Sequence, residues 1–151
     1  MQPDSALWKE RLEQLKPDVI ALWNFDSSLS QWIDLHNCQL AVKDALTVRT
    51  SGDDPHLGTS ALGPAGEKAL VMRYRSAEAF SLKLRWAEAS GGIDETRVVS
   101  QAIPAAIGEW KEVTIPFSCQ DALISIRLDP NTTAEHPLEI DSLVLQQLEI
   151  R

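Results

Sequence analysis

The chain has 151 residues, of which 44% are hydrophobic and 24% are charged. These values are typical of one globular domain that can fold without a metal ion or a disulfide. The formal net charge of −8 argues against nucleic acid as a partner, because phosphate binding depends on a basic surface. A membrane partner is equally disfavoured, since no apolar run reaches the ~18 residues of a spanning helix.

The first 16 residues predict a short helix or linker that precedes the main domain. Ser5 is a suitable N-cap, and Pro17 disfavours helix in the residue before it. The apolar residues at helical spacing are Leu7, Trp8, Leu12 and Leu15. Residues 1–5 lack the basic and apolar parts of a signal peptide. We therefore expect a cytoplasmic protein or, if the chain is cut from a longer one, a secreted or periplasmic domain.

After Pro17 the hydrophobic pattern changes to a period of two, which is typical of half-buried β-strands. We predict eight or nine strands, near residues 19–25, 40–42, 46–49, 70–75, 80–86, 96–103, 110–117, 122–128 and 138–145. No helix separates them, so residues 17–151 are predicted to form an all-β, antiparallel β-sandwich of the jelly-roll type. An immunoglobulin-type sandwich is the second choice, because the spacing of Cys38 and Cys119 does not fit it.

Three segments between the strands are predicted to be irregular. Residues 51–68 form the longest, and such a loop in a compact domain is often functional or mobile. Residues 104–108 are predicted to be a second loop, and residues 129–131 a turn. The two cysteines fit no zinc motif, and we expect two buried free thiols rather than a disulfide.

The sequence contains no specific catalytic motif. A GxSxG elbow, an HExxH helix and a phosphate-binding glycine loop are all absent. The three histidines, His36, His56 and His136, fall in predicted loops, where surface positions are expected and convergence on a metal is the alternative. We therefore predict that the domain is not an enzyme.

The tryptophan content points toward carbohydrate, because the chain has five Trp and one Tyr. A Trp ring offers a broad apolar face that can stack on a sugar, with an N–H for hydrogen bonding. Alternation assigns Trp23, Trp86 and Trp110 to the core. Trp32 lies in a loop-like segment and is the candidate stacking residue.

A run of basic side chains on the polar faces of residues 71–85 is a second candidate surface. It contains Arg73, Arg75, Lys83 and Arg85 in a chain that is acidic overall. Arginine binds sulfate or carboxylate through paired hydrogen bonds, so this face could hold an anionic glycan. The alternative is a solvated face in which each base is paired with Asp or Glu.

A structural calcium ion is also considered. Calcium needs six to eight oxygen ligands, many of them carboxylates. Asp26, Asp54 and Asp141 lie where the first strand, the long loop and the last strand could meet.

Several segments together resemble a known family. They are residues 23–26 (WNFD), Trp32, residues 50–57 (TSGDDPHL), 109–117 (EWKEVTIPF), 126–130 (IRLDP) and 139–145 (EIDSLVL). The chain resembles, over residues 18–146, the carbohydrate-binding-module-like jelly-roll domains appended to bacterial sulfatases and glycan-degrading enzymes. The resemblance implies a non-catalytic accessory domain with a glycan ligand, an upstream catalytic domain and a calcium ion near Asp141. The alternatives are a structural or interaction module packed against a partner catalytic domain, and a small metal-dependent enzyme.

Overall fold

A computed structural model describes residues 18–25, 32, 34–52, 54–93, 95–132 and 135–148. These residues contain eleven β-strands. The strands are β1 (Asp18–Asn24), β2 (Asp34–His36), β3 (Cys38–Val42), β4 (Leu46–Thr50), β5 (His56–Gly63), β6 (Gly66–Ser76), β7 (Phe80–Glu88), β8 (Val98–Ile103), β9 (Ala106–Cys119), β10 (Leu123–Asn131) and β11 (Leu138–Gln147). No helix that could cross a membrane occurs in these ranges. The helix predicted for residues 1–16 lies outside them.

The strands form two antiparallel sheets. Sheet A has the order β3-β4-β11-β6-β9, and β1 also pairs with β11. β11 pairs with β4 over residues 138–140 and with β1 over residues 142–147. Sheet B has the order β2-β5-β10-β7-β8. The predicted all-β antiparallel sandwich is confirmed.

The core lies between the sheets and follows the predicted alternation. Met72 and Tyr74 of β6 are fully buried from sheet A, and Leu82 and Leu84 of β7 are fully buried from sheet B. β6 and β7 belong to opposite sheets although they are consecutive, so the short connection between them crosses from one sheet to the other. The Tyr74 ring consequently meets Phe80 edge-on, with ring centroids 6.5 Å apart.

The prediction that residues 51–68 are irregular is wrong for most of that segment, because β5 occupies residues 56–63. β5 lies between β2 and β10, and Leu57 on it is fully buried. The sequence pattern does not predict this strand, because residues 58–61 are small and show no hydrophobic alternation. Only residues 64–65 connect β5 to β6.

The predicted turn at residues 129–131 is also wrong, because β10 continues to Asn131. Proline lacks the N–H of the sheet ladder and normally avoids central strands. Pro130 pairs with Leu82 of β7, whereas the pairing with β5 has already ended at Leu128. Among the described residues, one side of β10 is therefore unpaired at this point, and a strand with a free edge tolerates proline. The predicted loop at 104–108 is likewise shortened, since β9 begins at Ala106.

The two cysteines are buried free thiols, as predicted. Cys38 begins β3 and Cys119 ends β9, and these are the two ends of the sheet A order. Four strand spacings of about 4.8 Å separate such strands, far beyond the reach of a disulfide. Lys68 is also fully buried, and its ammonium donates hydrogen bonds to the carbonyls of Pro64 and Gly66. Burial lowers the pKa of Lys68.

Candidate functional site

The outer face of sheet B carries two rows of polar side chains on neighbouring strands. Because Leu82, Leu84 and Trp86 of β7 face the core, the alternating residues of that strand face outward. Across the β7–β10 boundary the register pairs Ser81 with Asn131, Lys83 with Asp129, and Arg85 with Arg127. Side chains that pair directly share a face, so these six residues form one continuous surface.

Asp129 lies at the centre of this surface and accepts hydrogen bonds from two arginines. Its Oδ2 is 3.1 Å from Arg85 Nε and 2.8 Å from Arg127 Nη2, while its Oδ1 is 2.8 Å from Arg127 Nε. The side chains of Asp129, Arg85 and Arg127 are only 10%, 11% and 19% exposed. Charge-assisted hydrogen bonds at this degree of burial hold side chains in defined positions. The floor of the surface is therefore preorganised.

A groove of about 260 Å³ lies along these rows, and we call it the sheet B groove. It is lined by Asp54, Pro55, Ser81, Lys83, Arg85, Asp129, Pro130 and Asn131. Asp54 has a left-handed backbone with φ 55°, a conformation that Asp and Asn tolerate better than most residues. Two cations, Lys83 and Arg85, face two carboxylates, Asp54 and Asp129, so the lining has no net formal charge.

A second polar cavity of about 200 Å³ is lined by Trp86, Glu88, Thr96, Arg97, Ser118 and Gln120. Its carboxylate, Glu88, is already engaged on both oxygens. Trp86 Nε1 donates to Glu88 Oε2 at 2.8 Å, and the Asp121 amide donates to Oε1 at 2.9 Å. Glu88 Oε2 also lies 3.7 Å from Arg97 Nε, so this carboxylate links β7 to the turn before β10 and to Arg97.

The predicted arginines are not brought onto one surface. Arg73 and Arg75 lie on the outer face of sheet A, whereas Arg85 lies on sheet B. Arg73 Nε is 3.1 Å from an oxygen of Asp141, and Arg75 Nη2 is 2.8 Å from an oxygen of Glu139. Parity of the alternation assigns each residue to an outer face, but it cannot show that β6 and β7 belong to different sheets. The alternative of a solvated, ion-paired face describes Arg73 and Arg75.

The tryptophans also differ from expectation. Trp32 is fully buried and meets Trp23 edge-on at 5.4 Å, so its ring has no free face for a sugar. Trp110 was predicted to be in the core but lies on the outer face of sheet A, with the Arg75 guanidinium 4.1 Å from its ring centroid. The alternation contained the signal for Trp110, because the core residues of β9 are Ile115 and Phe117, at odd positions.

Two of the three predicted calcium ligands lie on separate parts of the molecule. Asp26 lies outside the described residues. Asp54 lines the sheet B groove, and Asp141 is paired with Arg73 on sheet A. In the part of the chain that the structure describes, no three His, Cys, Asp or Glu side chains converge as a metal site.

No protein-family model matches the chain, and no curated protein matches it. Solved structures do match. The CBM22-1 xylan-binding domain from Paenibacillus barcinonensis Xyn10C aligns with a TM-score of 0.68 and 10% identity, over 89% of this chain and 97% of that one. The carbohydrate-binding module CBM6cm-2 from Cellvibrio mixtus lichenase 5A, in complex with cellotriose, aligns with a TM-score of 0.62 and 14% identity, over 87% of this chain and 99% of that one.

The fold is that of carbohydrate-binding modules. The Clostridium thermocellum xylanase 10B fragment, with CBM22-1 and GH10 modules and bound xylohexaose, also aligns, at a TM-score of 0.63 and 15% identity. The match covers 87% of this chain and 29% of that chain. Together these structures confirm the predicted jelly-roll β-sandwich. They also confirm that the chain resembles carbohydrate-binding modules in its fold.

Proposed function

We propose that this domain is a non-catalytic accessory domain that binds carbohydrate in the sheet B groove. The observation that carries the proposal is the preorganised polar surface, in which Asp129 fixes Arg85 and Arg127 beneath a groove open to solvent. A fixed set of donors and acceptors loses little conformational entropy when a ligand binds.

The chemistry of the lining suits a sugar. Each hydroxyl of a pyranose both donates and accepts hydrogen bonds, and Asp54, Ser81 and Asn131 together supply both functions. Pro55 adds apolar surface against which the C–H bonds of a ring can pack. The groove is slightly smaller than the roughly 300–1,000 Å³ clefts of drug-sized ligands, so we expect it to hold a short section of a glycan.

The balance of charges in the groove lining favours a neutral glycan, rather than the anionic glycan that the sequence suggested. Arg73, Arg75 and Arg85 are each paired with a carboxylate, which reduces their capacity to bind sulfate. In contrast, Lys83 makes no ion pair with any described residue. The structural neighbours named above are a xylan-binding domain and modules with bound cellotriose or xylohexaose, all neutral ligands, which supports the same choice.

Isothermal titration of the full chain with xylohexaose, cellotriose and a sulfated oligosaccharide tests this proposal. Variants Asn131→Ala and Lys83→Ala each remove one groove side chain that is not part of the Asp129 network. We expect each to weaken binding of the neutral ligand by about tenfold, which corresponds to the loss of one or two hydrogen bonds. Arg73→Ala is the matched control on sheet A and should bind normally.

Two results would overturn the proposal. One is the absence of binding to every glycan at millimolar concentration. The other is an equal loss of affinity in Arg73→Ala, which would move the site away from sheet B. If the sulfated ligand bound tightest and only Lys83→Ala weakened it, the groove would be assigned to an anionic glycan instead.

We further propose that the domain is joined to a catalytic domain in its natural protein. Support comes from the xylanase 10B structure, in which a module of the same fold shares a chain with a GH10 module. An interaction role would depend on residues 1–16, which carry the apolar residues Trp8, Leu12 and Leu15. Deletion of residues 1–16 should then weaken association with the partner domain, and unchanged association would remove this role.

We also propose that the domain binds a structural calcium ion, as its resemblance to carbohydrate-binding-module-like domains implies. Asp26, Asp54 and Asp141 are the candidate ligands. Thermal unfolding with 2 mM calcium or with EDTA is the direct test, because a bound ion stabilises the folded state by mass action. Equal melting temperatures in the two conditions would exclude it.

A further inference from the structure

Two histidines that the sequence placed in loops lie side by side on neighbouring strands. His36 ends β2, His56 begins β5, and the register pairs them directly. Leu57 next to His56 is fully buried in the core, so the His56 side chain faces outward on sheet B. The two imidazole rings are stacked, with centroids 5.0 Å apart and planes 19° from parallel.

One nitrogen of each ring can bind a ligand. His36 Nε2 accepts a hydrogen bond from the side-chain nitrogen of Asn37 at 3.2 Å, and a metal ion would displace that donor from the Nε2 lone pair. His56 Nδ1 is buried and has no hydrogen-bond partner among the described residues. An unsatisfied buried polar atom costs about 1–3 kcal/mol, so a group that bonded to it would stabilise the fold.

We propose that His36 and His56 together bind one divalent transition-metal ion, with solvent at the remaining coordination positions. Two metal–nitrogen bonds of about 2.0–2.1 Å at a tetrahedral angle place the nitrogens roughly 3.3 Å apart. Directly paired cross-strand residues have Cβ atoms about 4.5–5.5 Å apart, so modest rotations of both rings bring one nitrogen of each to that separation. The sheet backbone fixes the pair, and the second bond forms at a high effective concentration.

The donor set selects the class of metal. Imidazole nitrogens suit zinc, copper and nickel, whereas calcium and magnesium require oxygen ligands. Cys38 follows closely in the chain, but its sulfur is buried and donates to the His56 carbonyl at 3.1 Å. The thiol therefore binds the backbone beneath the two histidines and is not a ligand of the metal. This site is thus distinct from the calcium site implied by Asp26, Asp54 and Asp141.

The loop beside the pair supports the position of His36. Asn37 has a left-handed backbone with φ 49°, and its carbonyl accepts a hydrogen bond from the Ser51 amide at 2.8 Å. A Cβ on Gly52 would lie 3.2 Å from the Asn37 side-chain nitrogen, so the glycine leaves room for that amide. In the metal-free chain this amide therefore holds the His36 ring beside His56.

Titration of the tag-free full chain with copper, nickel and zinc ions tests the proposal, with calcium as the oxygen-seeking control ion. We expect one ion per chain and tightest binding of copper, in the Irving–Williams order. The electron paramagnetic resonance spectrum of the copper complex should show coupling to two nitrogens. His36→Ala and His56→Ala should each weaken binding by at least about tenfold, since each removes the chelate.

His136→Ala is the matched control, because this third histidine pairs with Glu78 at 3.2 Å, in contact with neither ring. Exposed His36 can also be changed to Gln without loss of a core contact, which keeps the test valid if His56→Ala is unstable. The proposal fails if no transition metal binds at millimolar concentration, or if copper binding is unchanged in both His36 variants. Xylohexaose titrations of His36→Ala report separately on the sheet B groove.

Discussion

Arg85 and Asp129 meet across the β7–β10 boundary, with Arg85 Nε 3.1 Å from Asp129 Oδ2 and both side chains about nine-tenths buried. Arg127 donates to the same carboxylate from within β10. Asp129→Asn keeps the shape of the side chain but removes the carboxylate charge that Arg85 and Arg127 share, and the Glu95 carboxylate 3.7 Å from Arg85 is 90% exposed. We expect a loss of about 2–4 kcal/mol in the free energy of unfolding, measured with urea, because an exposed carboxylate compensates a buried charge poorly.

Asp141→Asn is the control for this variant. It breaks the pair with Arg73 on sheet A, where the two side chains are 37% and 43% exposed. Exposed ion pairs contribute about 0–1 kcal/mol, so its effect should be small when EDTA removes any calcium from Asp141. Equal losses of unfolding free energy in the two variants would show that the ion pairs of Asp129 contribute no more than an exposed pair.

The two tryptophans with corrected positions should respond differently to truncation. Trp32→Ala empties a fully buried position and should cost about 3–5 kcal/mol of unfolding free energy. Trp32→Phe should cost less, because it keeps a ring and removes an indole N–H that has no hydrogen-bond partner among the described residues. Trp110→Ala loses the contact with Arg75 and should cost about 1 kcal/mol. A larger cost for Trp110 than for Trp32 would contradict these positions.

The Cys119 thiol should make stability depend on alkaline pH. Burial raises the pKa of Cys119 from 9.0 to about 11, against a smaller lowering by Lys68. Between these values the unfolded thiol is ionised while the folded thiol keeps its proton, so stability falls as pH rises. The full effect is about 2–3 kcal/mol.

The measurement compares wild type with Cys119→Ala by urea unfolding at pH 8, 9, 10 and 11. The comparison is necessary because the lowered pKa of Lys68 gives the opposite slope, with stability rising toward pH 10.5. Relative to the variant, wild type should lose stability above pH 9. A constant difference across this range would mean that the folded thiol ionises normally.

Much of the fold could be predicted because strand alternation is a local property. The runs at 70–75 and 80–86 alternate cleanly, and both became strands with the predicted inward residues. β2 and β5 were missed for different reasons. β2 has three residues, too few to show a period, and β5 is built of small residues whose burial depends on their neighbours.

The candidate groove could not be predicted in the same way, because it depends on which strands are neighbours. Sequence assigns Arg85 to an outer face, but only the pairing of β7 with β10 brings it to Asp129. Likewise His36 and His56 are separated by two strands of sheet A in the chain, and only the pairing of β2 with β5 joins them. Alternation gives the face of a residue, whereas the register gives its partners.

Gly66 provides a final test, at the tight connection between β5 and β6. Its φ of 118° lies where residues with a Cβ are strained, and a Cβ there would be 2.9 Å from Gln147 Nε2. Gly66→Ala should therefore cost about 1–3 kcal/mol of unfolding free energy. Gly92→Ala is the control, since a Cβ at that position meets no atom within 4 Å, and it should change stability by less than about 0.5 kcal/mol.

The double variant Gly66→Ala with Gln147→Ala separates the two causes of this cost. Truncation of Gln147 removes the close atom but leaves the backbone angle unchanged. Because the glutamine end is flexible and can move aside, we assign most of the cost to the backbone. The double variant should thus stay destabilised relative to Gln147→Ala alone, and full recovery would show that the contact, rather than φ, requires glycine here.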